Sequence, residues 1–178
     1  AALPSMATHR LRNGIDSISS LLDEAEVLIL LTALGGGMGS GASGELARIA
    51  NQYGCMVLSI AGLPFAEQPL RCSIAEESIP SLDANSSVCI RVSMERLAWQ
   101  SRRRKTNWMT GSGWIAELVE GLVTTLASVG RINLDLMDMR AIINKEGNAT
   151  LIVGTGASEN PKSVVEMARN SPLNDIPV

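Results

Sequence analysis

Two stretches carry residues whose type and spacing suit chemistry. The first is Gly35, Gly36, Gly37, Met38, Gly39, Ser40 and Gly41, which follows an apolar run from Val27 to Leu34 and precedes a helical pattern. Glycine at nearly every position lets backbone N–H groups face inward with no Cβ in the way. A helix opening just beyond adds its free N–H groups and the positive end of its dipole, so the stretch reads as a seat for phosphate oxygens. The second is Asn133, Asp135 and Asp138 at a helix start, a cluster able to orient one water or hold a cation. Capping of that helix by Asp135 or Asp138 is the plainer reading of the same residues.

The elements around them follow the rhythm of an α/β fold. Apolar residues at Leu11, Ile15, Ile18, Leu21 and Leu22 predict a surface helix from Leu11 to Glu24. The near-continuous apolar run Val27 to Leu34 predicts a central parallel strand covered on both faces. A helix from Ser43 to Tyr53, stopped by Gly54, leads to a buried strand from Cys55 to Ala61. A short helix from Ser73 to Leu82 and a strand from Ser87 to Val92 complete strand–helix–strand–helix–strand. Gln100 to Asn107 reads as a basic loop, either a solvated connector or a contact for nucleotide phosphates or an acidic partner. Beyond it come a long helix from Trp114 to Ser128, a short helix from Leu136 to Asn144, a turn at Glu146 to Asn148, a strand from Ala149 to Gly154 and a helix from Pro161 to Asn170.

Composition narrows the classes. The chain has 178 residues and an apolar fraction of 46%, enough for a buried core. A net charge of −3 and 3% aromatics argue against a nucleic-acid partner. Cys55, Cys72 and Cys89 lack metal-ligand spacing and read as small buried thiols. His9 is the single histidine and offers no nucleophile partner. With no apolar run near ~20 residues, a soluble cytoplasmic protein without membrane insertion is the expectation.

Three ligand-binding readings compete for the glycine stretch. It lacks the Gly-Lys-Ser/Thr of a Walker A loop. Gly39, Gly41 and Gly44 form a G-x-G-x-x-G, but the next strand ends at Ser59 to Gly62 without the acid that would hold a ribose. A tight turn without ligand is the bland alternative. The more specific match is Ala33 to Ala42, which resembles the glycine signature loop of the tubulin/FtsZ family. Asn133, Asp135 and Asp138 resemble that family's synergy loop, and Asn170 to Asp175 its later Asn-Ser-Pro-Leu segment. The three fall in the family's order, from about Asn13 to Asp175, and cover the middle of its length.

The resemblance implies a parallel sheet with flanking helices (residues 1–112), a central helix (113–130) and the start of a second α+β domain (131–178). It implies GTP or GDP, with Mg²⁺ arriving on the nucleotide, as cofactor. It implies head-to-tail self-assembly, with Asn133, Asp135 and Asp138 of one subunit completing hydrolysis on the next. The phosphates would rest on Gly35 to Gly41 and the ribose near Glu67, Gln68 and Arg71. Trp108 would stack on the base, and Ser112 stands where the family reads the base edge with Asp. Met38 replaces the loop's usual Thr, and Met94 falls in the loop that usually offers Asn. These departures keep a second reading open, a non-hydrolysing assembly protein with a degenerate nucleotide site.

Overall fold

The computed structural model describes residues 3–105, 107, 109–127, 135–143, 152, 154, 156, 159–171 and 173. They fall in two compact units, residues 1–95 and 96–178.

The first unit is built on three parallel strands in the order β1-β2-β3: Val27–Ala33, Met56–Leu63 and Val88–Ser93. Val27 pairs with Met56, Ala33 with Gly62 and Leu63 with Ser93, so the carboxyl ends of all three strands share one edge of the sheet. β2 is the central strand and is buried from Met56 to Gly62. β1, expected to be central, pairs on one side only among the described residues, and Leu31 on it is exposed.

Four helices dress this sheet: α1 (Pro4–Asn13), α2 (Asp16–Asp23), α3 (Gly37–Gln52) and α4 (Pro69–Asn85). α3 packs on β1 and β2 and is flanked by α1 and α4. The core joins Leu22 of α2, Ala47, Ile49 and Ala50 of α3, Val57 and Ala61 of β2, and Ala75 and Leu82 of α4. The single surface helix expected from Leu11 to Glu24 is two helices. Gly14 ends α1, its N–H bonding back to the carbonyls of Arg10 and Leu11, because glycine gains least from continuing a helix. α3 ends where expected, at Gly54, whose φ of +82° suits glycine. α4 runs further than expected at both ends. Pro69 fits its first turn, and Pro80 is accommodated inside it.

α1 is tied to α3 by a charge cluster. The Glu45 carboxylate accepts two hydrogen bonds from Arg12 of α1, at 2.7 and 3.2 Å, and two from Arg48, at 3.0 and 2.9 Å. The Glu45 side chain is 7% exposed, whereas those of Arg12 and Arg48 are 60% and 42% exposed. The acid is therefore desolvated while its two partners keep contact with water.

In the second unit, α5 (Met94–Arg103, whose first two residues belong to the first unit) replaces the start of the expected basic loop. Leu97, Ala98 and Gln100 are good helix formers, and Glu95 in the first turn with Arg102 and Arg103 in the last suits the helix dipole. α6 (Met109–Ala127) begins five residues before the expected Trp114 and buries Leu118 and Leu122, one turn apart. α7 (Leu136–Ile143) and α8 (Pro161–Arg169) follow. Asn160 caps α8 by accepting the Ser163 N–H at 3.3 Å. A Cβ on Gly154 would fall 2.3 Å from the Val164 carbonyl oxygen of α8, so the backbone there needs glycine. The expected turn at 146–148 lies outside the described residues, as does most of the expected strand at 149–154.

The Glu45 cluster makes stability depend on pH. The hydrogen bonds from Arg48 and then Arg12 outweigh desolvation and hold the Glu45 carboxyl at about 2, below its ordinary 4.5. A depressed carboxyl contributes stability in full above about pH 4.5. That contribution is lost as pH falls towards about 2. Glu45→Gln is expected to lower unfolding stability by about 1–3 kcal/mol at pH 7. In urea denaturation across a pH series, its deficit against wild type should shrink steadily below pH 4.5.

Candidate functional site

The carboxyl edge of the parallel sheet is where α/β folds place ligands. At this edge β1 ends at Ala33, and the Leu34 N–H donates to the Gly62 carbonyl at 2.9 Å. Gly35 turns the chain with φ +88°. Gly36 is extended, at φ −117° and ψ 164°, and Gly37 begins α3. The expected helix start at Ser43 is thus six residues too late. Most of the glycine stretch is the first turn and a half of the helix itself.

The first bond of the α-helical ladder runs from the Ser40 N–H to the Gly36 carbonyl at 3.1 Å. The N–H groups of Gly37, Met38 and Gly39 precede it, so helix geometry leaves them without intrahelical acceptors. Ser40 also shapes the turn, because its Oγ accepts the Gly35 N–H at 2.9 Å. A hydroxyl that accepts still carries a proton to donate. The arrangement can therefore present three backbone donors, one hydroxyl and the positive helix end to an anion.

The glycines divide by what a Cβ would meet. At Gly39 it would fall 2.0 Å from the Ala33 carbonyl oxygen, and at Gly41 2.0 Å from the Pro4 carbonyl oxygen of α1. At Gly44 it would fall 2.6 Å from Ser81 Oγ of α4. Those three glycines let α3 approach a strand end and two helices. Gly41, expected among the phosphate contacts, is thus placed under α1, and its carbonyl accepts from Thr8 Oγ1 at 2.6 Å. Gly36 differs, since a Cβ there would meet nothing within 4 Å. Met38 is 65% exposed at the helix start.

The second strand's exit joins the turn. A Cβ on Gly35 would fall 2.8 Å from the Arg71 carbonyl oxygen and 3.2 Å from Pro64 Cγ. The segment from Pro64 to Arg71 therefore meets the glycine turn at its two ends. Within it, the Gln68 N–H donates to the Phe65 carbonyl at 3.0 Å, and Gln68 is the N-cap residue of α4. Glu67, Gln68 and Arg71 are all exposed. On the third strand's exit, Met94 Cε approaches to 2.9 Å of where a Gly62 Cβ would stand.

The remaining expected residues lie in the second unit or outside the description. Ser112 is exposed on the first turns of α6. Asp135 precedes α7, and its Oδ1 accepts the Asp138 N–H at 2.7 Å, so Asp135 caps this helix. Both Asp135 and Asp138 are exposed. Asn133 and Trp108 lie outside the described residues.

Sequence reasoning missed the Arg12–Glu45–Arg48 cluster and the role of Pro4 and Thr8 over Gly41. The small residues Ser40, Ser43, Gly44 and Ala47, at helical spacing, were the available sign that helices crowd α3. Of the cysteines expected to be buried, Cys55 is buried and Cys72 and Cys89 are half-buried, and two of the three thiols are held protonated. Burial raises the pKa of Cys55, whose thiol donates to the carbonyls of Leu22 and Ala25. Burial, with the neighbouring Asp83 carboxylate, pushes Cys89 up to about 12. Among the described residues, no group of three or more His, Cys, Asp or Glu could hold a metal ion, and no helix is long and apolar enough to cross a membrane.

Comparison with known proteins bears on this edge. The model of the tubulin/FtsZ family GTPase domain matches residues 2–100, which include all three strands and the glycine turn. The chain belongs to the tubulin/FtsZ family. Cell division protein FtsZ 2 of Halobacterium salinarum is 31% identical over 97% of this chain and 45% of its own length. Cell division protein FtsZ 1 of Methanocaldococcus jannaschii is 26% identical over 98% of this chain and 49% of its own. A solved FtsZ dimer from M. jannaschii matches with a TM-score of 0.81 at 25% identity, over 98% of this chain and 52% of that one. CetZ from Methanosaeta thermophila shares the fold, with a TM-score of 0.71 at 18% identity, over 94% of this chain and 49% of that one. The chain thus spans about half the length of these family members. The parallel sheet and its flanking helices are those of the family's GTPase domain.

The glycine contacts lead to a paired test. Gly35→Ala forces a side chain into positive φ against the Arg71 backbone and is expected to cost about 1–3 kcal/mol of stability. Gly36→Ala is expected to stay within about 0.5 kcal/mol of wild type. Thermal unfolding of the two variants separates them.

Proposed function

We propose that this chain forms the phosphate-holding part of a guanine-nucleotide site in a filament-forming GTPase. The observation that carries the reading is the start of α3. Its N–H groups at Gly37, Met38 and Gly39, which lack intrahelical acceptors, sit beside the open approach at Gly36, on the carboxyl edge of a parallel sheet. Phosphate oxygens are acceptors only, so this donor set fits them. The Ser40 hydroxyl adds a side-chain donor; Arg71 adjoins the same turn and, with the exposed Glu67 and Gln68, is assigned to the ribose.

Little covalent work is asked of the protein in phosphoryl transfer; it positions the phosphates and stabilises their charge. Mg²⁺ bound with the nucleotide would neutralise part of that charge. Asn133, Asp135 and Asp138 are assigned to the neighbouring subunit's site, where they orient the attacking water. Asp138 is the better placed of the two described acids, because Asp135 is engaged in capping α7. Trp108 and Ser112 are assigned to the base. Ser112 cannot pair both guanine N–H groups as a carboxylate does, so weak discrimination between guanine and adenine is part of this reading.

The test uses the full-length protein and phosphate release from GTP. Turnover per subunit should rise with protein concentration, since each site borrows residues from the next subunit. Asp138→Asn should lower turnover on the order of 100-fold while GTP affinity stays within about twofold. A rate per subunit that is flat across concentration would remove the shared site. GTP binding and assembly without turnover would leave the non-hydrolysing alternative.

A further inference from the structure

The closing stretch of α5 carries charge that the described fold leaves unused. Residues 96–105 hold five basic residues and no acidic one. Arg104 is engaged: it donates to the Asn170 carbonyl at 2.7 Å and lies over the Trp114 ring at 5.9 Å. Arg102, Arg103 and Lys105 are exposed and make no ion pair among the described residues. Trp99 is 50% exposed, and the Arg103 guanidinium stacks on it at 5.4 Å. Trp99, Arg102 and Arg103 are spaced three and four apart, so one helix face presents an indole flanked by guanidinium groups. Exposed aromatic and arginine side chains together are the residues that anchor protein contacts.

A matching surface lies in the first unit. Residues 1–95 carry ten acidic and five basic residues. Asp23 ends α2, Glu24 is its C-cap and Glu26 directly precedes β1; all three are exposed and without an ion pair among the described residues. Acids at a helix carboxyl end oppose its dipole, and α2 has no basic residue in its last turn to offset them. Leu21 beside them is 67% exposed. The patch thus carries one exposed apolar side chain and three acids, opposite in charge to the indole and its neighbouring cations. It precedes β1, whereas the glycine turn follows β1, so patch and turn lie at opposite ends of that strand.

We infer that the Trp99–Arg102–Arg103–Lys105 face of one molecule docks on the Leu21–Asp23–Glu24–Glu26 patch of a second copy. The two surfaces differ, so the contact is heterologous and repeats from copy to copy. The inference rests on the self-assembly reading above and names residues that would orient it.

The experiment follows assembly of the full-length protein by sedimentation in GTP and Mg²⁺. Arg102→Glu with Arg103→Glu, and separately Asp23→Lys with Glu24→Lys, should each raise the critical concentration by about tenfold. The four changes together should return it to within about twofold of wild type, a recovery that misfolded variants could not give. Wild type that assembles while both pairs are neutral, or a fourfold variant worse than either pair, overturns the docking alone. Loss of binding to phosphatidylserine vesicles in the arginine pair, with assembly unchanged, assigns the face to a lipid surface and overturns the docking too. Wild type that does not assemble overturns both this inference and the assembly reading.

Discussion

Close backbone approach at the start of α3 is the constraint on which the first unit depends. The helix begins so near the end of β1 that a Cβ at Gly39 would stand 2.0 Å from the Ala33 carbonyl oxygen. One turn on, Gly41 and Gly44 admit α1 and α4 to the same intimacy. Any side chain at these points would push the helix off its neighbours. The free N–H groups at its tip would then be displaced from the sheet edge. Packing and candidate chemistry are therefore one requirement here, met by the same glycines in succession.

The Glu45 cluster works with this constraint. Glycine contacts bring α1 and α3 together but add little cohesion, because they present almost no apolar area. The four hydrogen bonds from Arg12 and Arg48 to one carboxylate supply directional hold on the helix pair. Because the arginine heads remain in water, only the acid is desolvated, which limits the cost that a fully buried ion pair would carry.

Much of this fold was legible in the sequence, and its errors have physical causes. The strands Val27–Ala33, Met56–Leu63 and Val88–Ser93 stood out as apolar runs, and the parallel order followed from the helices between them. The start of α3 was placed too late, because glycine disfavours helix in isolation whereas contacts with β1 and α1 favour it here. The basic loop proved to be helix through Arg103, since arginine is a good helix former whatever its charge suggests. The structure brings Pro64 and Arg71 against Gly35 of the glycine turn. The division of labour among the glycines was not visible, because only coordinates show which Cβ would collide. Arg12 and Glu45 are far apart in sequence, and no spacing rule links them.

The hydrogen bond from the Gly35 N–H to Ser40 has a consequence for how such a loop can change over time. It closes the turn from within, so the donors left without intrahelical acceptors at Gly37, Met38 and Gly39 belong to the peptide chain and not to any side chain. A cradle of that kind is indifferent to side-chain identity at its exposed position. Drift from a hydroxyl to a thioether at Met38 leaves its donors in place. Under the proposed function, recognition of charge would thereby be insulated from mutation at Met38, while recognition of the base, which would rest on side chains, would be free to diverge.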